Sequence, residues 1–443
     1  MIDTGERDRI LRTHTIKVLV NYERSSQSLK SLLRERYDSF SELKQHRNLV
    51  DSLSYGTITY LNTIDWLISH SGPKSAKQLP ILERTIARLA VYEGRWLNTK
   101  MRQLIEYYLH KIPEMISPIR NAINTDLEEK LSSYPLINRL SIELSHPTFL
   151  VETLLDNLSH KQAIELMRTN NGQRSYFMRI NKLLQSQESV LEDIRELGID
   201  FIEDSDISGL YLIRDGITQL VQSESFKKGY VLIQDKASVQ TVKLLNPKSD
   251  EVIWDACAAP GMKTQLISEY TSYQGTIFAT ESSNERISIA KKRANDLGYS
   301  SVKWILADAS SVPIRNADKI LIDAPCSSTG ILWSYPSFKW TLNKDSLMAL
   351  MVVQNKILDA IIEAYEHKIG TELVYATCSI LPHEGESQID SVLARYPFIE
   401  LINPDGTGSM GYPAFDCASR IQRFFPHIHN TSGFFISHFK ITG

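Results

Sequence analysis

The sequence predicts an α/β fold in the C-terminal half of the chain, preceded by an all-helical region. From about residue 250, short apolar runs alternate with helix-like segments, which indicates a mainly parallel sheet covered on both faces. The first run, residues 252–254, leads into the small-residue stretch DACAAPGMKT at 255–264 and then into a helix. A buried strand, a small-residue turn and a helix together present backbone N–H groups to a cofactor. The turn lacks both the GxGxxG pattern and the Gly-Lys-Ser/Thr ending of a phosphate-binding loop.

The composition is that of a globular protein with more than one domain. The chain has 443 residues, enough for about two or three domains. Its 42% hydrophobic and 23% charged residues are ordinary for a globular protein. A net charge of −3 argues against bulk, sequence-blind nucleic-acid binding but leaves room for a local basic groove. The charged N-terminus predicts no signal peptide, and the absence of a long apolar run predicts no membrane span.

The cysteines indicate free thiols in a reducing compartment. The four cysteines, Cys257, Cys326, Cys378 and Cys417, are widely separated. They form no CxxC pair or Cys/His cluster, so we expect neither zinc nor another metal. This usage favours a cytoplasmic location.

Residues 1–135 are expected to form one helical domain. Apolar residues at helical spacing predict a single helix that ends or kinks at Pro113; they are Met101, Leu104, Ile105, Tyr108, Leu109 and Ile112. A further helical block is predicted over 49–68, and the polar stretch 69–75 is a connection.

Residues 140–245 are expected to form a small α+β domain. Helix-like segments extend to about Arg168, and strands are predicted at 176–181, 210–213 and 230–233. Basic residues are interleaved with them: Arg174, Arg179, Lys182, Lys227 and Lys228. They are compatible with an RNA-facing groove and equally with an ordinary solvated face.

Residues 246–443 are expected to form the third domain. Strands are predicted at 252–254, 276–280, 302–306, 319–322, 372–376 and 434–439, with a long helix over 344–367. Ser282 and Glu285 form a capping-box pattern for another helix, and Gly298 suits the position just after its end.

Polar residues follow the predicted strands at the edge where open α/β sheets bind ligands. Glu281, Asp308, Asp323, Cys326 and Cys378 all occupy such positions. Glu281 comes 20 residues after the glycine of the turn, a spacing at which an acid accepts hydrogen bonds from both ribose hydroxyls. One such acid can equally cap the next helix, but three in series favour a nucleoside site.

Three motifs carry a family resemblance. DACAAPGMKT at 255–264, DAPCSSTG at 323–330 and YATCSILPHEGE at 375–386 resemble the signatures of RNA (cytosine-5) methyltransferases, which use S-adenosylmethionine. LSHP at 144–147, FMRIN at 177–181 and GYVLIQDKAS at 229–238 are similar to the bacterial RsmB type. The resemblance implies a Rossmann-like methyltransferase domain, an N-terminal NusB-like domain and an RRM-like linker domain. It covers nearly the whole chain.

The resemblance also implies roles for individual residues. Cys378 would be the nucleophile that attacks carbon-6 of cytosine, because thiolate addition activates carbon-5 toward a methyl group. Cys326 would assist release, Asp323 would hydrogen-bond the base edge, and Lys263 would lower a thiol pKa or contact the cofactor. The cofactor-binding residues it implies are Cys257, Ala258, Ala259, Pro260, Gly261, Met262, Lys263, Glu281, Arg286, Asp308 and Asp323.

Two departures from the family pattern stand out. Met262 replaces a glycine that the family usually has before the lysine. After Gly330, aromatic residues stand where basic ones are usual, so Trp333, Tyr335 or Trp340 are candidates for stacking on RNA bases. We assign no catalytic role to Cys417 and expect it to be structural.

The resemblance implies an RNA partner, with ribosomal RNA first and transfer RNA second, and we expect a monomer. A non-catalytic ribosome-assembly or RNA-binding factor remains an alternative, although it predicts loss of the cysteines, Asp323 and Lys263. A DNA cytosine methyltransferase would carry Pro-Cys-Gln, whereas Ser327 follows Pro325-Cys326 here. An amino-group methyltransferase would need an Asn/Asp-Pro-Pro-aromatic loop, which DAPC is not.

Overall fold

A computed structural model describes residues 4–443, which form two compact units. The helical unit contains residues 4–172 and 332–341, and the sheet unit contains 173–331 and 342–443. The division of the chain into three domains at 1–135, 140–245 and 246–443 therefore stays a prediction.

The helical unit begins with eleven α-helices over its described residues. They are α1 (Thr4–Arg24), α2 (Leu29–Ser39), α3 (Arg47–Thr59), α4 (Leu61–Ser71), α5 (Ile81–Trp96), α6 (Met101–Tyr107), α7 (Ile116–Asn124), α8 (Leu127–Leu131), α9 (Leu136–Glu143), α10 (Thr148–Asn157) and α11 (His160–Asn170). The predicted block at 49–68 is two helices that meet at Tyr60. Gly56 of α3 is required by close packing, because a Cβ there would lie 2.0 Å from the Tyr92 ring.

The prediction of one continuous helix over residues 101–112 is wrong. α6 ends at Tyr107, and a short 3₁₀ turn, Leu109–Lys111, follows it. The break lies at Tyr108, which is buried and whose hydroxyl donates a 2.7 Å hydrogen bond to Glu93 Oε1. Glu93 also pairs with the Arg12 guanidinium. This buried polar network, which local periodicity cannot reveal, outweighs continuation of the helix.

Residues 173–245 form a small antiparallel sheet with helices beside it. The elements are β1 (Tyr176–Ile180), α12 (Gln187–Glu196), β2 (Asp200–Glu203), β3 (Leu210–Asp215), α13 (Ile217–Gln222), α14 (Glu224–Lys227), β4 (Val231–Ile233) and α15 (Lys236–Leu245). The strand order is β2-β3-β1-β4. Arg179 on β1 is buried and pairs with Glu269 at 2.7 Å, so it does not belong to a solvent-facing basic surface.

The remaining elements follow in chain order and build the large sheet. They are β5 (Val252–Asp255), α16 (Met262–Tyr270), β6 (Thr276–Glu281), α17 (Asn284–Asp296), β7 (Lys303–Leu306), β8 (Lys319–Asp323), α18 (Phe338–Thr341), α19 (Lys344–Tyr365), β9 (Glu372–Thr377), α20 (Glu386–Arg395), β10 (Ile399–Leu401), β11 (Gln422–Phe424), α21 (Pro426–His429) and β12 (Phe434–Ile441).

The large sheet is mainly parallel, as predicted. Its order is β10-β12-β9-β8-β5-β6-β7, with β11 paired to β12. The strands β5 to β9 pair in parallel, whereas β12 is antiparallel to β9. Chain order reverses direction at β5, which lies between β8 and β6. This switch point places a ligand crevice beyond the carboxyl ends of β5, β6 and β8.

Both faces of the large sheet are buried, which explains why its strands are apolar throughout. On β8, Ile320 and Ile322 face the hydrophobic cluster that contains α19 and α20. Leu321 between them faces the opposite cluster, which contains α15 and α16. The alternation follows from successive side chains pointing to opposite sides of a strand.

The helix after β6 begins one residue later than the predicted capping box. Ser283, not Ser282, is the N-cap, and its hydroxyl accepts from Arg286 N. The shift arises because the Glu281 carboxylate accepts from the Ser283 backbone N–H at 2.9 Å. Gly298 has φ +79° just after the end of this helix, as expected for that position.

Residues 332–341, which contain α18, belong to the helical unit although they follow β8 in sequence. Lys339 is completely buried there. Its ammonium donates to Thr59 O at 3.0 Å, Ser145 O at 3.1 Å and Asn171 Oδ1 at 2.5 Å. Burial lowers the pKa of Lys339 well below its usual value. The side chain therefore satisfies three polar oxygens inside the helical unit.

Among residues 4–443, no helix combines the length and apolarity needed to cross a bilayer. In the same part of the chain, no cluster of three or more His, Cys, Asp or Glu side chains has the arrangement of a metal site.

Candidate active site

A cavity of about 580 Å³ lies at the switch point of the large sheet. This volume is in the range of sites for nucleoside-sized ligands. The loops after β5, β6, β7, β8 and β9 line it together with α19. The lining residues that matter most are Cys257, Ala259, Pro260, Glu281, Arg286, Asp308, Asp323, Cys326, Ser328, Val353 and Cys378. Five separate loops thus converge on one cavity.

The turn between β5 and α16 has the backbone form that its small residues allow. Gly261 has φ +95°, a left-handed conformation that side chains other than glycine rarely adopt. A Cβ at this position would also lie 2.9 Å from the Tyr299 hydroxyl. Just before the turn, Asp255 is buried and accepts a 2.6 Å hydrogen bond from the Thr264 hydroxyl. Burial raises the pKa of Asp255 to about 7.

Glu281 is a buried acid on the cavity wall, only 3% exposed. Its Oε1 accepts from Ser283 N, and its Oε2 lies 3.1 Å from Arg286 Nη1. Arg286 also donates to Ala259 O at 2.5 Å, so it bridges the acid and the turn. Oε1 also accepts from the Ser282 hydroxyl at 3.4 Å and from Arg286 Nη1 at 3.3 Å. Oε2 therefore has the greater capacity to accept a hydrogen bond from a ligand hydroxyl.

Asp308 caps the 3₁₀ turn Ala309–Ser311 that follows β7, and it also lines the cavity. Its Oδ1 accepts from the backbone N–H and the hydroxyl of Ser310, both at 2.9 Å. The Ser310 backbone bond, which outweighs partial burial, lowers the pKa of Asp308. The carboxylate is exposed, so its second oxygen remains able to accept a hydrogen bond from a ligand.

Lys263 and Asp323 form an ion pair behind the cavity, with Nζ and Oδ2 2.6 Å apart. Burial alone would lower the pKa of Lys263, but the Asp323 carboxylate outweighs it and the net direction is upward. The ammonium therefore stays charged. It also lies 5.2 Å from the centre of the Phe434 ring.

The two predicted cysteines meet, with their sulfur atoms 3.2 Å apart. The hydrogen bond between them lowers the pKa of Cys378 against the opposing effect of burial. The same hydrogen bond, with burial, raises the pKa of Cys326 well above its usual value. The two directions favour Cys378 as the thiol that ionises more readily, although either sulfur can donate the hydrogen bond between them.

The two cysteine loops are also joined through their backbones. Gly330 N donates to Cys378 O at 2.9 Å, and Gly433 N donates to Gly330 O at 2.8 Å. A Cβ on Gly330 would lie 1.8 Å from Gly433 O, so only glycine permits this approach. The spacing of the sulfurs is thus fixed by main-chain contacts.

Some predicted residues lie outside the cavity wall. Ala258, Gly261 and Lys263 are beside it but do not line it. Met262, the departure from the family glycine, instead lines a separate cavity of about 430 Å³ together with Phe226 and Leu297. Cys417 is completely buried in the core beside α20, away from the reactive thiols.

The aromatic residues after Gly330 are not all available for stacking on bases. Trp340 Nε1 donates to Ile58 O at 2.8 Å, and the ring packs within the helical unit. The Tyr335 hydroxyl lies 3.2 Å from Lys30 Nζ in the same unit. Trp340 is therefore a structural side chain.

Sequence reasoning missed three polar residues around the cysteines. Ser328 lies 3.7 Å from the Cys378 sulfur. Gln354 and Glu384 are completely buried and bond to the residues that flank Cys326. The signal for Glu384 was its place in the motif YATCSILPHEGE, which contains Cys378. Gln354 offered none, because it is one polar residue in a long amphipathic helix.

Two family models match this chain. Residues 242–440 match the family described as 16S rRNA methyltransferase RsmB/F. Residues 9–108 match the NusB family. The first match spans the large sheet and its cavity, and the second lies within the helical unit.

Relatives match over nearly the full length. Ribosomal RNA small subunit methyltransferase B of Photorhabdus laumondii is 28% identical over 433 residues, which cover 96% of this chain and 97% of the relative. Probable ribosomal RNA small subunit methyltransferase B of Bacillus subtilis is also 28% identical, and both chains are covered completely.

Solved structures show the same fold. The crystal structure of PH0851 has a TM-score of 0.78 at 22% identity and covers 96% of this chain and 97% of its own. NSun6 from Pyrococcus horikoshii, solved with SFG, has a TM-score of 0.60 at 23% identity and covers 67% and 98%. The fold class and the family resemblance predicted from the sequence are confirmed. The chain is an RNA methyltransferase that uses S-adenosylmethionine, with a methyltransferase domain of the RsmB/F family at residues 242–440 and a NusB domain at residues 9–108.

Proposed function

We propose that this enzyme methylates carbon-5 of a cytosine in small-subunit ribosomal RNA through a covalent bond between Cys378 and carbon-6. The observation that carries the proposal is the 3.2 Å contact between Cys326 and Cys378 beside the Lys263–Asp323 ion pair. The reaction needs a nucleophilic thiolate that later leaves, which suits Cys378, the thiol that ionises more readily. It also needs a protonated group beside the departing sulfur, which suits Cys326.

Each residue has a separate task in this proposal. The Cys378 thiolate adds to carbon-6, which makes carbon-5 nucleophilic. Asp323 hydrogen-bonds the base edge, and Lys263 holds the carboxylate in place. Once carbon-5 carries its methyl group, its proton passes to a solvent water, the electron pair restores the double bond between carbon-5 and carbon-6, and the bond from carbon-6 to the Cys378 sulfur breaks. Cys326 then stabilises the departing thiolate by donating a hydrogen bond across 3.2 Å.

The cavity fits the cofactor. Bound S-adenosylmethionine supplies an electrophilic methyl group on its sulfonium. Glu281 and Arg286 would hold the ribose, residues 257–261 the methionine portion, and Asp308 the adenine. Glu281 supports this fit because a buried acid on a cavity wall calls for hydrogen-bond donors from a ligand.

The target base must leave any stack to reach the cysteines, so an accessible loop or an assembly intermediate is the expected form of the RNA. Transfer RNA is the second candidate, and a non-catalytic assembly factor is the third. The intact cysteine pair favours an enzyme over that factor. A monomer in the cytoplasm is the expected working form.

The test is bisulfite mapping after incubation of the purified protein and S-adenosylmethionine with protein-free small-subunit rRNA, small subunits or transfer RNA. We expect one modified cytosine in the rRNA, and none with Cys378→Ala. Modification of transfer RNA alone would show that transfer RNA, and not ribosomal RNA, is the substrate. Absence of modification in every RNA would favour the assembly factor.

A further inference from the structure

Two buried acids, one just before α20 and one at its first residue, contact different cysteine loops. Glu384 and Glu386 are both completely buried, and neither lines the cavity. Gly385 between them is fixed by packing, because a Cβ there would lie 2.5 Å from the Phe435 ring and 2.7 Å from Arg423 Nη2. The side chains of the two acids therefore leave a tightly packed turn in set directions.

Glu384 contacts the loop of Cys326. Its Oε1 accepts from Ser327 N at 2.8 Å, and its Oε2 accepts from the Ser327 hydroxyl at 2.5 Å. Gln354 donates to the same carboxylate at 3.0 Å and to Pro325 O at 2.8 Å. The residues on both sides of Cys326 are thus held by one connected network.

Glu386 contacts the loop of Cys378 through an arginine. Arg423 donates to both Glu386 oxygens, at 2.7 and 2.5 Å, and both side chains are completely buried. Arg423 also donates to Ser379 O at 2.9 Å and Leu381 O at 3.2 Å. This second network holds the backbone that follows Cys378.

The two acids differ in charge balance. Arg423 neutralises Glu386, whereas none of the hydrogen-bond donors to Glu384 carries a charge. A buried carboxylate beside a thiol disfavours the thiolate. After the Cys378 hydrogen bond and burial, Glu384 is a further cause that raises the pKa of Cys326.

The charged groups around Cys378 are different. Asp323 on β8 opposes its ionisation, and Lys263 on α16 favours it. The main causes of the raised pKa of Cys326 are the hydrogen bond with Cys378 and burial, and the charged side chain that adds to them is Glu384. The negative charge of Glu384 therefore distinguishes the environments of the two sulfurs.

We propose that Glu384 is a positioning residue that assigns the two cysteines their roles, by fixing the Cys326 loop and keeping Cys326 as the hydrogen-bond donor to Cys378. This rests on the proposed function for its catalytic meaning, because only the covalent route requires the sulfurs to differ. The contacts of Glu384 with Ser327 and Gln354 do not depend on which RNA is bound.

The experiment measures thiol reactivity without RNA. Iodoacetamide alkylation of each cysteine is followed against pH by mass spectrometry of peptides, in wild type, Glu384→Gln and Ser327→Ala. In wild type, Cys378 should react at lower pH than Cys326. Glu384→Gln keeps an acceptor for Ser327 N but removes the charge, so Cys326 should react about tenfold faster at neutral pH, equivalent to about one pKa unit. Ser327→Ala keeps the charge and should leave this profile unchanged.

Unchanged profiles in a folded Glu384→Gln protein would overturn the proposal, as would equal changes in both variants. If the Glu384→Gln protein does not fold, the test is the order in which the two cysteines react with iodoacetamide as pH rises in the wild-type protein. Reaction of Cys326 at lower pH than Cys378 would also overturn the proposal. In RNA assays, Glu384→Gln should lower kcat more than it raises KM and should accumulate covalent adduct. A normal thiol result with no methylation of any RNA would count against the proposed function and leave this inference standing.

Discussion

Lys263 Nζ lies 2.6 Å from Asp323 Oδ2, and the lysine side chain is only 12% exposed. Asp323→Ala leaves a nearly buried ammonium without its counter-ion, so the free energy of unfolding should fall by roughly 3 kcal/mol. Chemical denaturation measures this change. The double variant Lys263→Met/Asp323→Ala should recover part of the loss, and a double variant that is less stable still would contradict the pairing.

Asp323→Asn tests the catalytic part of the same contact. The amide retains an oxygen for Lys263 but loses the charge that assists the base edge. We expect kcat for methyl transfer to fall by about 10²-fold, with a smaller fall in cofactor affinity, because the resemblance also implies a cofactor contact for this residue. Single-turnover assays and cofactor titration separate the two effects. A loss of cofactor affinity as large as the loss of kcat would contradict this assignment.

The cysteine assignment predicts opposite behaviour for two variants. Cys378→Ala should abolish both methylation and the covalent complex, because the nucleophile is gone. Cys326→Ala should accumulate a complex that survives denaturing electrophoresis, because the donor that stabilises the departing sulfur is gone. The Cys417→Ala variant is the matched control, since that thiol is buried elsewhere. A trapped complex with Cys378→Ala would reverse the roles.

Glu281 should matter for the cofactor alone. Glu281→Ala removes acceptors for two hydroxyls, and we expect cofactor affinity to fall about 30-fold, or about 2 kcal/mol. Isothermal titration calorimetry measures it, and RNA affinity should not change. Glu285→Ala, an exposed acid four residues away, is the control. Equal losses in the two variants would refute the ribose role.

Asp255 predicts a pH dependence of stability. Its pKa rises from 3.8 to about 7 in the folded protein because of burial. The folded state therefore binds the proton more tightly, so this stabilising contribution is complete below pH 4 and is lost as pH rises toward 7. The Asp255→Asn variant should gain stability relative to wild type between pH 5 and pH 8, by about 3 kcal/mol. A constant difference in denaturation experiments would contradict the burial effect.

The sequence predicted most strands of the large sheet because both faces are covered, so each strand reads as an apolar run. It missed β10 at one edge of this sheet and β2 at one edge of the small sheet, where exposed residues interrupt that pattern. It also missed β11, which is buried but only three residues long. It also treated residues 101–112 as one helix, because the contact between Tyr108 and Glu93 joins separate parts of the chain.

The sequence predicted the site residues that directly follow strands. It did not predict the residues that act through hydrogen bonds to distant parts of the chain. Glu281 and the cysteines occupy loops whose meeting follows from the topology of a parallel sheet. Glu384 and Gln354 act through partners 57 and 29 residues away, and no local pattern encodes such pairings. Met262 shows the converse, because a position inside a motif can still point into a different cavity.

Lys339 has a consequence for how this protein can be divided. A fragment that ends at Gly172 would keep the helices of the NusB match but lose the donor to Thr59 O, Ser145 O and Asn171 Oδ1. The helical unit includes ten residues, 332–341, that follow the motifs DACAAPGMKT and DAPCSSTG in the sequence. The residues that fold together in this unit are therefore not contiguous in the chain. An exchange of this unit between relatives must therefore carry residues 332–341 with it, although they lie 160 residues beyond the rest of the unit in the sequence.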